Sequence, residues 1–199
     1  MLGKASLVAT TVAAGLPLAA TAAQSSPATA WSGTKPRIKV VVTGGHPGDP
    51  EYGCGGTIAR YSDLGHEVVL LYLNRGDWTD RPGHDPSPVR VAEATKACEI
   101  LKARPVFAGQ HDGRSIVDQA HYQEFHGLLE AEQPQVVFTH WPIDNHADHR
   151  AISMLVYEAW LRICFQCSTP RQSLLYYHHG YRLEGTASHD PGFGFAAPG

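Results

Sequence analysis

With 199 residues, the chain has room for one domain with a substantial core. Its 43% hydrophobic and 18% charged residues are those of an ordinary globular protein, and 20 Gly with 14 Pro imply many loops. A formal charge of −3 and the absence of any Lys/Arg run give nucleic acid nothing to hold, so a nucleic-acid partner is not expected.

The chain opens with Lys4, then an apolar stretch from Leu7 to Ala20, then the small residues Thr21-Ala22-Ala23. This pattern reads as a cleaved signal peptide over 1–23, and predicts export to a periplasmic or extracellular space. The stretch is short and weakly hydrophobic for a membrane span, so no stable span is expected. Residues 24–36 read as a Ser/Pro/Ala linker, 37–180 as the folded domain and 181–199 as an irregular tail. Oligomeric state is not legible. Export leaves Cys54, Cys98, Cys164 and Cys167 open to three full disulfide pairings.

Within the domain, strands and helices alternate. Ile38 to Thr43 is a β-branched run that predicts the first strand, and Gly55 to Leu64 the first helix. His66 to Leu73 predicts a strand covered on both faces. Pro88 to Lys102 is a helix, with Val91, Ala94, Cys98 and Leu101 on one face. Pro105 to Ala108 is a strand, Asp118 to Glu132 a helix, Pro134 to Thr139 a strand, Ala147 to Cys164 a helix and Ser173 to Tyr177 a strand. Alternation of this kind predicts an α/β fold: a Rossmann-like, doubly wound, mostly parallel sheet flanked by helices.

In such a sheet, ligands bind beyond the carboxyl ends of the strands. The loops at that edge carry His46-Pro47-Gly48-Asp49 after the first strand and His146-Ala147-Asp148-His149 after the fourth. Two histidines and a carboxylate brought together there can hold one divalent metal. The glycine-rich segment Gly53-Cys54-Gly55-Gly56-Thr57-Ile58 lacks the last Gly of a dinucleotide fingerprint and the Lys of a phosphate loop. Its glycines read as a tight turn into the helix.

These motifs resemble those of the PIG-L/LmbE-like family of zinc-dependent N-deacetylases, which act on N-acetylglucosamine-type substrates. The family's His-Pro-Asp-Asp, with a following Glu and a Gly-Cys-Gly-Gly run, is matched by His46-Pro47-Gly48-Asp49-Pro50-Glu51-Tyr52-Gly53-Cys54-Gly55-Gly56. Its His-Pro-Asp-His-Arg is matched by His146-Ala147-Asp148-His149-Arg150. Asn74-Arg75-Gly76-Asp77, Arg90-Val91-Ala92-Glu93-Ala94 and His111-Asp112-Gly113 follow its remaining motifs in order.

The resemblance implies that His46, Asp49 and His149 bind Zn2+. It implies that His146 stabilises the oxyanion or protonates the leaving amine, with Asp148 orienting His146. Arg75 and Asp112 would hold sugar hydroxyls, and the partner would be a small N-acetylated amino sugar or glycoconjugate. One position departs: Gly48 stands where the family has its general-base Asp. Either Glu51 or Asp77 takes its place, or the chain is a catalytically impaired member that binds metal or amino sugar. Two histidines and one carboxylate also suit non-haem iron.

Overall fold

The computed structural model describes residues 36–166 and 172–177, which belong to one compact unit beginning at Pro36. The expected signal peptide, linker and C-terminal tail, and Cys167, lie outside the described residues.

The elements run β1 (Lys39–Gly44), α1 (Asp49–Asp63), β2 (Glu67–Asn74), α2 (Ser87–Leu101), β3 (Arg104–Gln110), α3 (Gln119–Glu132), β4 (Val136–His140), α4 (Ala147–Gln166) and β5 (Ser173–Tyr177). The five strands form one sheet in the order β3-β2-β1-β4-β5, and every neighbouring pair is parallel. The chain winds outward from β1 through β2 to β3, then returns to the other side of β1 with β4. The topology therefore switches between β1 and β4, and a crevice opens beyond their carboxyl ends.

The period-2 alternation of strand side chains divides the core into two layers. Val40, Val42, Val68, Leu70 and Tyr72 pack against Cys54 and Ile58 of α1 and Ala94 and Cys98 of α2. Val41, Val69, Leu71 and Val137 pack on the opposite face against Phe125 and Leu129 of α3 and Ile152, Leu155 and Val156 of α4. The runs Val40-Val41-Val42 and Val68-Val69-Leu70-Leu71 are continuous because both faces are covered. Cys54 and Cys98 are free buried thiols of the first layer, pushed up by burial to about 12 and about 11, so neither is a nucleophile. Among the described residues, no helix is long and apolar enough to cross a membrane.

One element departs from expectation. Helix α1 starts at Asp49, six residues before the expected Gly55, so the glycine run lies inside the helix and does not form a turn before it. Asp49 and Glu51 place negative charge in the first turn, and Pro50 sits among the first positions, where its missing N–H costs nothing. Gly53 then has a packing role. A Cβ there would lie 2.4 Å from a ring carbon of Tyr177, so β5 closes on the helix through this residue. Gly56 meets nothing within 4 Å. Gly56→Ala therefore raises stability by about 0.5–1 kcal/mol in thermal unfolding, whereas Gly53→Ala lowers it.

Candidate active site

Asp49 is buried at the start of α1, and its Oδ2 is a meeting point. His46 Nδ1 lies 3.2 Å away, His149 Nε2 3.1 Å and His140 Nε2 3.3 Å. The His46 backbone N–H donates to the same oxygen at 2.7 Å. Gly45, just before His46, lets the parts approach: a Cβ on it would lie 2.9 Å from His149 Cδ2. The cluster sits at the β1/β4 switch, with His46 after β1 and His149 in the first turn of α4.

The outer nitrogen of each histidine decides which lone pair faces inward. His149 Nδ1 lies 3.1 Å from Asp144 Oδ1. With Nδ1 toward Asp144, Nε2 is the ring nitrogen that faces Asp49. His46 Nε2 lies 3.1 Å from both Asp112 Oδ1 and Asp148 Oδ2, so it donates outward. His46 Nδ1 then faces Asp49 Oδ2, the oxygen that all three rings share. A proton or a metal ion between ring nitrogen and carboxylate satisfies each of these buried 3.1–3.2 Å contacts. That spacing is close to the edge of a tetrahedron built from zinc bonds of about 2.0–2.1 Å, roughly 3.3 Å. Histidines backed by carboxylates are the usual setting of metal ligands. Three overlapping sets have ligand atoms close enough to share a metal: His46, His146 and His149; Asp49, His140 and His149; and His46, Asp112 and Asp148. Together they include the expected His46, Asp49 and His149.

Without a metal, a proton takes the cation's place. Burial opposes charge on His46, but Asp112, Asp148 and Asp49 outweigh it and push its pKa up to about 12. Asp49 is held far below the usual carboxylate range: burial resists ionisation, and the adjacent His140, His149 and His46 rings overcome it. The raised His46 value means that its proton stabilises the metal-free fold in full below the ordinary 6.5, and that this contribution is lost as pH rises through about 12. At pH 7, metal uptake therefore releases about one proton. Calorimetry in buffers of different ionisation enthalpy reads that proton directly, and a buffer-independent enthalpy would contradict it.

The remaining expected site residues fall in distinct places. His146 lies against both of these histidines, with ring centroids 4.8 Å from His46 and 4.7 Å from His149. The Asp148 backbone N–H donates to His146 Nδ1 at 3.2 Å. Its carboxylate accepts from Ser115 Oγ and the Gly113 N–H, both at 2.7 Å, and turns to His46. The group it orients is therefore His46. Asp112 joins it there. Arg75 is exposed just beyond β2.

Neither expected substitute base faces the nitrogen cluster. Glu51 Oε1 accepts from Tyr72 Oη at 2.6 Å, on the α1/α2 side of the sheet. Burial raises its pKa, opposed by the Tyr72 hydroxyl and by the backbone N–H groups of Glu51 and Gly48. Asp77 is engaged with His111 Nδ1 at 2.6 Å and the Asp112 N–H at 2.9 Å. Gly48 precedes α1 with φ 108°. A Cβ on it would lie 3.8 Å from Arg90 Nη2, which donates to Pro47 O at 2.5 Å.

Two residues of the site were not singled out in the sequence. Asp144 anchors His149 and also accepts the His146 N–H at 3.0 Å. Its signal is a carboxylate two residues before a ligand-rich segment. His140 is fully buried, stacks flat on His149 at 3.8 Å and belongs to no spaced motif. Its signal is its position as the last residue of a strand at the topology switch.

A family model described as PIG-L: GlcNAc-PI de-N-acetylase matches residues 41–160, more than half of the chain. The chain belongs to the PIG-L family. All of the converging His and Asp residues just described lie inside the matched segment. Among its relatives, the diacetylchitobiose deacetylase of Thermococcus kodakarensis is 31% identical over 129 residues, which are 61% of this chain and 48% of that protein. A conserved protein of Thermus thermophilus shares the fold with a TM-score of 0.61 and 28% identity, over 73% of this chain and 68% of that one. The N,N'-diacetylchitobiose deacetylase of Pyrococcus horikoshii, solved with an inhibitor, gives a TM-score of 0.57 and 28% identity over 61% of this chain and 49% of its own. This PIG-L chain therefore spans about half the length of the two diacetylchitobiose deacetylases it matches.

Proposed function

We propose that this chain is a zinc-dependent hydrolase that removes the N-acetyl group from a small molecule of the N-acetylglucosamine type. The observation that carries this reading is the convergence of two imidazole nitrogens, His46 Nδ1 and His149 Nε2, upon Asp49 Oδ2. Family membership and the diacetylchitobiose deacetylases support an acetylated amino sugar as the substrate. They favour zinc and hydrolysis over the oxygen chemistry of non-haem iron.

Zinc bound there would lower the pKa of its water toward about 7 and polarise the acetyl carbonyl. Asp148 and Asp112 fix the His46 ring, and Asp144 fixes that of His149. His146 is held below its ordinary pKa by burial and then by the neighbouring His46 and His149. It is neutral at pH 7. Its Nδ1 accepts the Asp148 N–H, which puts the proton on Nε2. That N–H is placed to stabilise an oxyanion as the carbonyl becomes tetrahedral, and its proton can pass to the departing amine. Arg75 and Asp112 would meet sugar hydroxyls at the rim. Trp78 and Trp141, both exposed, offer faces for a sugar ring.

Gly48 favours a second reading, a weakened hydrolase. It supplies no carboxylate to take a proton from the attacking water. Asp77 and Asp148 hold other partners with both oxygens and Glu51 with Oε1, while Glu51 Oε2 is buried without a partner among the described residues. Acetate release from N-acetylglucosamine conjugates and chito-oligosaccharides, with and without added zinc, separates the two. Zinc-dependent release supports the full activity. Zinc binding without release leaves the weakened form, and a chain that takes up no zinc sinks both.

A further inference from the structure

We infer that His140, held by Tyr177, is a positioning residue of this site: it sets the ring plane of His149 and the placement of the Gly45–His46 peptide. The inference rests on the metal-binding reading above.

His140 ends β4, the strand beside β1 at the switch, and is fully buried. Its ring lies on that of His149 with centroids 3.8 Å apart and planes 8° from parallel. In this arrangement His149 cannot turn about its ring axis without driving into His140. His140 Nε2 also accepts the Gly45 N–H at 3.2 Å. The next residue is His46, whose own N–H donates to Asp49 Oδ2. One imidazole thus braces both histidines of the site, one by its face and the other by its edge.

Asp49, His140 and His149 lie close enough to share an ion, but the stacking favours a brace over a ligand. An imidazole binds a metal in its own plane, and two near-parallel rings with centroids 3.8 Å apart do not both point at one in-plane ion. The Nε2 lone pair is already occupied by the Gly45 N–H.

Tyr177 holds the brace. Its hydroxyl donates to Thr43 O at 2.6 Å and lies 3.3 Å from His140 Nε2, with ring centroids 4.6 Å apart. Its own ring is seated over Gly53, where any side chain would collide. Packing alone does not account for a histidine here. Nδ1 of His140 is buried without a hydrogen-bond partner among the described residues, a cost that Phe in the same slot would not carry. The polar edge is retained for what it holds.

The test compares the native chain with His140→Phe and Tyr177→Phe. Three quantities are read: zinc affinity by competition with a chromophoric chelator, the visible spectrum of the cobalt(II)-loaded protein, and thermal unfolding of the metal-free protein. His140→Phe keeps an aromatic face but loses the Gly45 bond. It is expected to keep the metal-free unfolding temperature within a few degrees, to weaken zinc about 10–100-fold and to alter the cobalt bands. Tyr177→Phe is expected to shift both metal readouts in the same direction by less. Native affinity and an unchanged cobalt spectrum in His140→Phe overturn the inference while leaving the metal site standing. If His140→Phe does not fold, Tyr177→Phe decides, and unchanged metal readouts there overturn it. A native chain that binds neither ion sinks the metal reading and this inference with it.

Discussion

Asp49→Ala abolishes zinc uptake and acetate release together. The substitution removes the single oxygen approached by three imidazole nitrogens, at 3.1, 3.2 and 3.3 Å. A lost carboxylate behind a ligand histidine costs roughly 10–100-fold in metal affinity, and loss of a ligand itself costs more. The effect extends beyond the metal. In the metal-free protein, Asp49 is one of the carboxylates that stabilise the His46 proton, so its removal lowers the His46 pKa from about 12. With no metal taken up, the buffer-dependent proton release disappears as well. Equilibrium dialysis followed by metal analysis checks the first effect and calorimetry the second. Zinc retained by Asp49→Ala at native stoichiometry would place the metal elsewhere.

Gly48→Asp is expected to raise turnover by about 10²-fold or more, within the roughly 10²–10⁴-fold that a general base contributes. The gain is opposed by two features of the site. Gly48 has φ 108°, a conformation that costs a residue with a side chain about 1–2 kcal/mol. The new carboxylate would also form beside Arg90, whose Nη2 is 3.8 Å from the Cβ position. The guanidinium would steady it and lower its basicity, which places the expected gain toward the lower end of the range. The thermal midpoint falls by a few degrees. Steady-state kinetics on the zinc-loaded proteins decide the matter. Equal rates in the two proteins, with zinc bound in both, would show that a group other than residue 48 takes the proton.

The sheet is readily legible in the amino-acid sequence. Val40-Val41-Val42 and Val68-Val69-Leu70-Leu71 are too apolar and β-branched for anything but buried strands, and helical spacing marks Ala94 and Cys98 on α2. The proposed ligand triplet is legible because each half comes as a short spaced motif at a strand end. The start of α1 is not, since four residues of glycine-rich sequence look like a turn, and only the ring of Tyr177, far along the chain, makes Gly53 a helical contact. The direction of Glu51 depends likewise on Tyr72, and that of Asp148 on Ser115 and Gly113. His140 and Asp144 carry no internal spacing at all. Each becomes visible only when the β1/β4 crevice brings it against His149.

The strand pairing at that crevice has a mechanical consequence. β1 pairs with β2 over six residues but with β4 over only three, Val40 to Val136, Val41 to Val137 and Val42 to Phe138. The seam between β3-β2-β1 and β4-β5 is therefore short, and His46 and Asp49 stand on one side of it with His149 on the other. A metal ion held by these three residues works as a staple across the seam, tying together segments about a hundred residues apart, much as a cross-link does. Binding only the closed form, it transfers its binding free energy to the closure of the two half-sheets. Stripping the ion from such a protein is expected to loosen the β1/β4 seam first, with amide exchange rising along Val136 to His140 before it rises in β2.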